Sequence, residues 1–199
     1  MAPSLPLSPE HRTALAGRAR AELGLRLARA RGGELSWRGK PFFNEGRESW
    51  PIFQIDGPID LGSNCRFRGG PVHTRIITRS GGRIEFGDAV GINFGVEILA
   101  EHLITVGDGA AISPHVTIFD TNFHPLSEGD EIKGGPVAIG ANAWIGRQAL
   151  ILPGVTIGDH SVVASGAVVT HDVPPRMLVA GNPARAVREI KATDGWRRL

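Results

Sequence analysis

Proton chemistry near neutral pH has few bearers in this 199-residue chain: seven histidines, one cysteine and no tyrosine. His124 stands apart, in the stretch Phe119-Asp-Thr-Asn-Phe-His-Pro-Leu-Ser-Glu-Gly-Asp-Glu-Ile-Lys-Gly-Gly-Pro, with Pro125 stiffening the backbone behind the ring. An imidazole titrating near neutrality takes a proton from an acceptor hydroxyl and returns it to a departing group, the two halves of general acid–base catalysis. Asp120, in an Asp-x-x-x-His arrangement, or Glu128 just beyond would orient the ring and stabilise its protonated form, and the spacing does not choose between them. Cys65 stands alone, so neither an intrachain disulfide framework nor a multi-cysteine zinc site can form, and a reducing compartment suits it. No metal is expected.

The charge balance bounds the partners. Lys and Arg number 22 against 20 Asp and Glu, a formal surplus of +2, too small for the phosphate-neutralising surface of a nucleic-acid binder. Basic residues crowd the two ends, with Arg12, Arg18, Arg20, Arg26, Arg29 and Arg31 in the first segment and Arg185, Arg188, Lys191, Arg197 and Arg198 in the last. No apolar run approaches the roughly 18 residues that span a bilayer, and Met1-Ala-Pro-Ser lacks a signal peptide's charged start and apolar stretch. The expectation is a cytoplasmic protein without membrane insertion.

These residues must be held by something, and the chain changes grammar along its length. Ser8-Pro9-Glu10 reads as a helix start, with Leu15, Ala19, Leu23 and Leu27 recurring every four residues and Gly32-Gly33 as the stop. Gly24 weakens that helix by about 1 kcal/mol relative to Ala, so it must lean on the rest of the protein or on a partner chain. Residues 34 to 58 mix Trp37, Phe42, Phe43, Trp50 and Phe53 with turn residues and show no period, which reads as a linker packed on the segment after it. The expected organisation is a helix and packing segment over 1–58, a repeat domain over 59–183 with an excursion at 119–136, and a helical tail over 184–199.

The repeat domain is defined by registered columns. Ile139, Ile145, Ile151, Ile157, Val163 and Val169 recur at every sixth position, and four residues after each stand Ala143, Ala149, Val155, Ser161, Ala167 and Val173. Upstream, Phe86, Ile92, Ile98 and Ile104 keep the spacing, which slips by two to Val106, Ile112 and Ile118. Six is a multiple of two, so each aliphatic stays on one face of an extended chain. The expected architecture is an all-β solenoid of very short strands with aliphatics inside, and with Gly, Asp and Asn at the corners. A solenoid admits insertions only as loops leaving its walls, which frees the segment around His124 from packing duty.

Pro136-Val-Ala-Ile-Gly-Ala-Asn-Ala-Trp-Ile-Gly, Ile151-Leu-Pro-Gly-Val-Thr-Ile-Gly-Asp, Gly166-Ala-Val-Val-Thr and Ala180-Gly-Asn-Pro-Ala-Arg resemble the hexapeptide-repeat acyltransferases, in particular the group that acetylates sugars, antibiotics and polysaccharide precursors. The resemblance covers about residues 59 to 190. It implies a left-handed parallel β-helix of three strands per coil, here with an N-terminal helix and a short C-terminal helix; the hand rests on the resemblance alone, since crossovers in general are right-handed. It implies direct transfer of an acetyl group from acetyl-CoA to a saccharide or natural-product hydroxyl, with His124 as general base, in a homotrimer whose donor and acceptor meet between subunits.

The resemblance also distributes further roles. Asn93 aligns with an acceptor-site asparagine; where the sugar acetyltransferases carry an aspartate seven residues later, this chain has Ala100, with Glu101 beside it, and the identity of the acceptor stays open. For coenzyme A, small residues at Ala149, Ser165 and Ala167 would let the pantetheine arm lie against the chain, Trp144 would wall the groove, and Arg147, Arg185 and Arg188 would meet phosphates. Thr170 is followed by His171 where a lysine is usual. Three alternatives compete with this reading: an N-acyltransferase acting on an amino sugar, a non-catalytic β-helix scaffold, and a zinc enzyme like the γ-type carbonic anhydrases. The last is disfavoured because His102, His115 and His124 include no His-x4-His pair.

Overall fold

The structure is a computed structural model describing residues 9–30, 33–43, 50–79 and 81–198, with side chains described from residue 15 onward in the helix. The expected cap at Ser8 and stop at Gly32 lie outside the described residues. Among the described residues twenty short strands form three sheets of six, eight and six strands, designated faces A, B and C. Successive strands go to successive faces as far as Val168–Val169, after which the last two strands both join face B, and every pairing within a face is parallel except that final one, so the chain winds as a three-walled solenoid.

The six-residue column is the reason. Trp144 pairs with Val162 on face B and Leu150 with Val168 on face C, eighteen residues on in each case, so one coil is three six-residue segments. Every column member from Ile139 to Val169 is at most 2 % exposed, and the small residues Ala143, Ala149 and Ala167 are buried with them. The slip of two has a simple origin: strands Glu97–Ala100 and Leu103–Val106 are four residues long, and Ile98, Ala100, Ile104 and Val106 all point inward. Adding two residues adds one in–out alternation and leaves the faces unchanged.

Glycine serves clearance here more than conformation. The columns Gly107 and Gly140 stack coil on coil, and a Cβ on Gly107 would stand 2.7 Å from the Ala141 nitrogen and 2.9 Å from the Gly140 carbonyl carbon. Left-handed corner positions are instead often held by other residues, among them Asn64, Asn142, Gln148 and His160. Corner carboxylates tie coils together: Asp108 accepts from the Asp88 amide at 2.7 Å and Asp159 from the Ala141 amide at 2.7 Å.

Three expectations are corrected. Residues 34–58 are no linker: Leu35–Trp37, Phe42–Phe43 and Ile52–Ile55 pair in parallel with Ile59–Leu61, Arg66–Phe67 and Arg75–Thr78, so the first coil begins at Leu35 rather than at Ile59. Its aromatics hid the period: Phe43 and Phe53 of the first coil both meet Phe67 of the second edge-on. The helix Pro9–Ala30 packs through Gly17, Ala21 and Leu25, while Leu15, Ala19, Leu23 and Leu27 face outward. A Cβ on Gly17 would collide with the Phe42 ring at 2.3 Å, so the helix approaches the aromatics by its glycine face. Finally, the described residues of the C-terminal segment form no helix. Met177–Gly181 and Ala184–Glu189 form an antiparallel hairpin across the turn at Gly181, because the exposed edge of face B offers backbone partners that a helix would leave open.

The clearance argument is testable. Gly107→Ala is expected to cost about 1–3 kcal/mol in chemical denaturation, as overpacking against fixed backbone does. Gly195→Ala, whose Cβ would meet nothing within 4 Å, should stay within about 0.5 kcal/mol; equal costs would remove the explanation.

Candidate functional site

The excursion leaves the edge between faces C and A after Phe119 and returns at Val137. Its base is clamped: Thr121 bridges Gly134, the Asn122 amide donates to the Lys133 carbonyl at 2.9 Å, and the Gly135 amide donates to the Asp120 carbonyl at 2.9 Å. Beyond the clamp, the His124 amide donates back to the Asn122 carbonyl at 2.7 Å, closing a three-residue turn that puts Phe123 at a φ of 62°. A bulky residue in that region is strained, and the strain is spent at the position that aims His124.

His124 is exposed and lines a cleft of about 1390 Å³ running along the outer side of face C. The opposite wall is a ladder of charge. Arg75 pairs with Glu97 at 3.1 Å and Arg79 with Glu101 at 3.7 Å, while the Arg79 guanidinium lies 6.0 Å from the Phe123 ring centre. These pairs are half exposed, and each contributes little to stability in water. What they do is present polar, hydrogen-bonding groups of both signs opposite an imidazole.

Of the two carboxylates expected to orient the imidazole, Asp120 is fully buried and its oxygens accept from the Glu101 amide at 2.8 Å and the His102 amide at 2.9 Å. It therefore pins the corner that presents Glu101 and stands at the clamp of the loop, a positioning role in place of a direct contact with His124. Glu128 is exposed in the turn closed by the Asp130 amide on the Ser127 carbonyl and does not line the cleft. Glu101 shares the cleft with His124. Asn93 does not: it lines a separate hollow of about 340 Å³ on face B with Ser113, Trp144 and Arg198, and its carbonyl accepts from the Thr74 hydroxyl at 2.7 Å.

The residues assigned to the donor are dispersed. Trp144 projects outward, 42 % exposed, and its indole N–H donates to the Ser113 hydroxyl at 2.9 Å, so it walls a hollow and does not pack the coil. Arg147 and Ser165 occupy exposed, stacked corners of the edge between faces B and C, where the Gly166 amide donates to the Arg147 carbonyl at 2.8 Å. Ala149 and Ala167 point into the interior and can meet a ligand only through their backbone. Thr170 and His171 lie on the edge from which the His124 loop departs, two coils along, with the hydroxyl 2.8 Å from the imidazole Nδ1. Arg185 and Arg188 sit exposed on the terminal hairpin, opposite Ala180 and Leu178, instead of on the expected helical tail.

Cys65 is buried with its thiol 3.3 Å from the Gly87 carbonyl, and burial pushes its pKa up to about 11, which keeps it an unreactive thiol. Among the described residues no group of three or more His, Cys, Asp or Glu is placed to hold a metal ion. No described helix is long and apolar enough to cross a membrane. Arg75, Arg79, Glu97 and Phe123 were not anticipated. Their signal was present as Arg75-x3-Arg79 and Glu97-x3-Glu101 with the same offset of one coil, visible only once the coil length in this region is known.

Residues 136–171 match the family model described as bacterial transferase hexapeptide (six repeats), and that segment carries the hexapeptide repeat. Galactoside O-acetyltransferase of Escherichia coli (strain K12) is 41% identical over 117 residues, which are 57% of this chain and 58% of that protein. The chain thus spans somewhat over half the length of this curated relative. Among solved structures, a hexapeptide-repeat-containing acetyltransferase from Vibrio cholerae O1 biovar eltor, complexed with acetyl coenzyme A, is 28% identical, covers 93% of this chain and 91% of that one, and superposes with a TM-score of 0.56. An N-acyltransferase from Bacillus cereus, in complex with dTDP and 3-hydroxybutyryl-CoA, shares the fold at 20% identity and a TM-score of 0.64, covering 86% of this chain and 88% of that one. The fold is the left-handed parallel β-helix of these acyltransferases.

The role of Asp120 separates by experiment. Asp120→Asn retains one acceptor oxygen for two amides, and losing a hydrogen bond to a buried charge is expected to cost about 1.5–3 kcal/mol in denaturation. A residue acting only on the imidazole would leave stability unchanged.

Proposed function

We propose that this chain is an acetyl-CoA-dependent O-acetyltransferase that moves an acetyl group to a hydroxyl of a saccharide or related acceptor, with His124 as the general base. The observation that carries the proposal is the placement of His124 on a clamped, strained turn at a long break in the repeat, facing a cleft lined by charged side chains. The similarity to galactoside O-acetyltransferase and to an acetyltransferase complexed with acetyl coenzyme A supports the reaction class.

In this reading the acceptor hydroxyl gives its proton to the His124 imidazole as its oxygen attacks the thioester carbonyl carbon. The tetrahedral intermediate, its oxyanion held by backbone or solvent donors, collapses with cleavage of the carbon–sulfur bond, and the imidazolium returns the proton to the departing thiolate. No acyl-enzyme forms, consistent with the buried, high-pKa thiol of Cys65. Glu101 contributes to the acceptor side from the charged wall, and Asp120 positions it.

Asn93 and His124 lie on different walls of one prism, so a single chain does not bring them together. A homotrimer solves this by setting face B of one copy against the excursion of the next, and each site is then built by two chains. Arg185 and Arg188, exposed on the hairpin, are assigned to the donor phosphates.

His124→Ala should retain the far-ultraviolet circular dichroism and oligomeric mass of the parent while thiol release from acetyl-CoA with a competent acceptor falls about 10²–10⁴-fold, the usual worth of a general base. Unchanged turnover would sink the assignment. Arg185→Ala should raise the KM for acetyl-CoA with little change in kcat; a selective effect on the acceptor would contradict its placement.

A further inference from the structure

The arginines of this prism are distributed unevenly with respect to acid. On faces A and C they are matched: Arg83 lies 2.5 Å from Asp60, Arg38 3.3 Å from Asp88, Arg75 3.1 Å from Glu97 and Arg79 3.7 Å from Glu101. On face B, Arg66 and Arg68 stand two residues apart and so project from the same side of their strand, both exposed, and neither has a carboxylate within 4.0 Å among the described residues. They line the hollow that also holds Asn93, Ser113, Trp144 and Arg198, and no acidic residue lines it. The adjoining hollow shares Arg66 and Arg68, adds Arg18 and Lys40, and is likewise free of acid.

Arg198 is brought there from the far end of the chain. Its amide donates to the Asn142 carboxamide at 2.9 Å and its guanidinium donates to the His160 carbonyl at 3.2 Å. The guanidinium lies between two indoles, 4.7 Å from the Trp196 ring centre and 5.8 Å from that of Trp144, and its buried Nε has no hydrogen-bond partner among the described residues. Three guanidiniums thus converge on one small hollow without a counter-charge from the protein. Guanidinium groups match carboxylate and phosphate in a planar, two-bond geometry, and Trp144 offers an apolar wall beside them.

We propose that the face B hollow selects an acceptor bearing an anionic group, a carboxylate or phosphate on a saccharide, which Arg66, Arg68 and Arg198 engage while Asn93 and Ser113 take hydroxyls. The inference rests on the acetyltransferase reading above and gives its acceptor a charge. The same chemistry would fit the phosphates of coenzyme A. The acceptor is favoured because Arg66 lies three strands from Trp144 on face B, about 14 Å at the spacing of stacked strands, and so stands at the opposite end of the prism from Arg185.

Calorimetric titration of the full chain with galacturonate, galactose, inorganic phosphate and coenzyme A separates the cases. Galacturonate should bind at least tenfold more tightly than galactose at low salt, should be displaced by inorganic phosphate, and should weaken as ionic strength rises. Arg66→Ala/Arg68→Ala should abolish the galacturonate preference and leave coenzyme A binding within twofold, and Arg66→Lys/Arg68→Lys should restore part of it. Equal affinity for the two sugars, or no saturable heat with either anion at tens of millimolar, overturns the inference. So does a double variant that loses coenzyme A instead, which would hand these arginines to the donor. Coenzyme A binding by the parent chain reports on the acetyltransferase reading itself, so the two can fail independently.

Discussion

Coils stacked at the spacing of hydrogen-bonded strands, about 4.8 Å, leave room for one inward row of apolar side chains per coil and no room at the corners for anything that thickens the backbone. That constraint governs the other features of the prism. The inward column from Ile139 to Val169 fills the interior, the glycines at 107 and 140 admit the next corner, and Asp108 and Asp159 cap the amides that the corners expose. Each coil depends on its neighbours, because one coil alone buries neither its aliphatics nor its strand edges. The same rule governs the ends, where a helix presses its glycine face onto Phe42 and Phe43 and a hairpin covers the last edge of face B.

Such a wall is poor in chemistry. Every second residue is committed to the interior, and the outward ones stand in rows too regular to converge on a reacting atom. Convergence requires a departure, and among the described residues the chain makes one long departure, clamped at its base so that the loop has a defined direction. Asp120 belongs to this logic: buried and doubly bonded to the amides of Glu101 and His102, it couples the loop base to the corner that faces the cleft. Outward rows supply what regularity does allow, which is ladders of charge. Face C carries paired Arg and Glu, and the hollow on face B carries arginine without acid.

The repeat was legible in the residues because inward positions tolerate few side chains, and a six-residue period survives an addition of two. His124 was legible because it interrupts that period. The first coil was not, since its Phe43 and Phe53 meet Phe67 of the second coil edge-on where later coils use aliphatics. The helix stripe misled for a related reason: the larger residues at Leu15, Leu23 and Leu27 look like a core face, yet close approach to aromatic rings demands Gly17 and Ala21. The terminal helix was expected from the resemblance, and the open strand edge that captures the segment instead leaves no local trace.

The sequence by itself determined the solenoid, the place where it breaks and the presence of an imidazole at that break, because each of these is a matter of local periodicity or of its interruption. Tertiary structure decided which wall each outward residue belongs to. That assignment sends Asp120 to backbone amides instead of the imidazole, separates Asn93 from His124, and delivers Arg198 to Arg66 and Arg68 from more than half the chain away. The physical reason is that coil length varies while the inward rule does not. Every coil buries its aliphatics regardless of length, but the outward neighbours of a residue are known only when the coils are laid one on another.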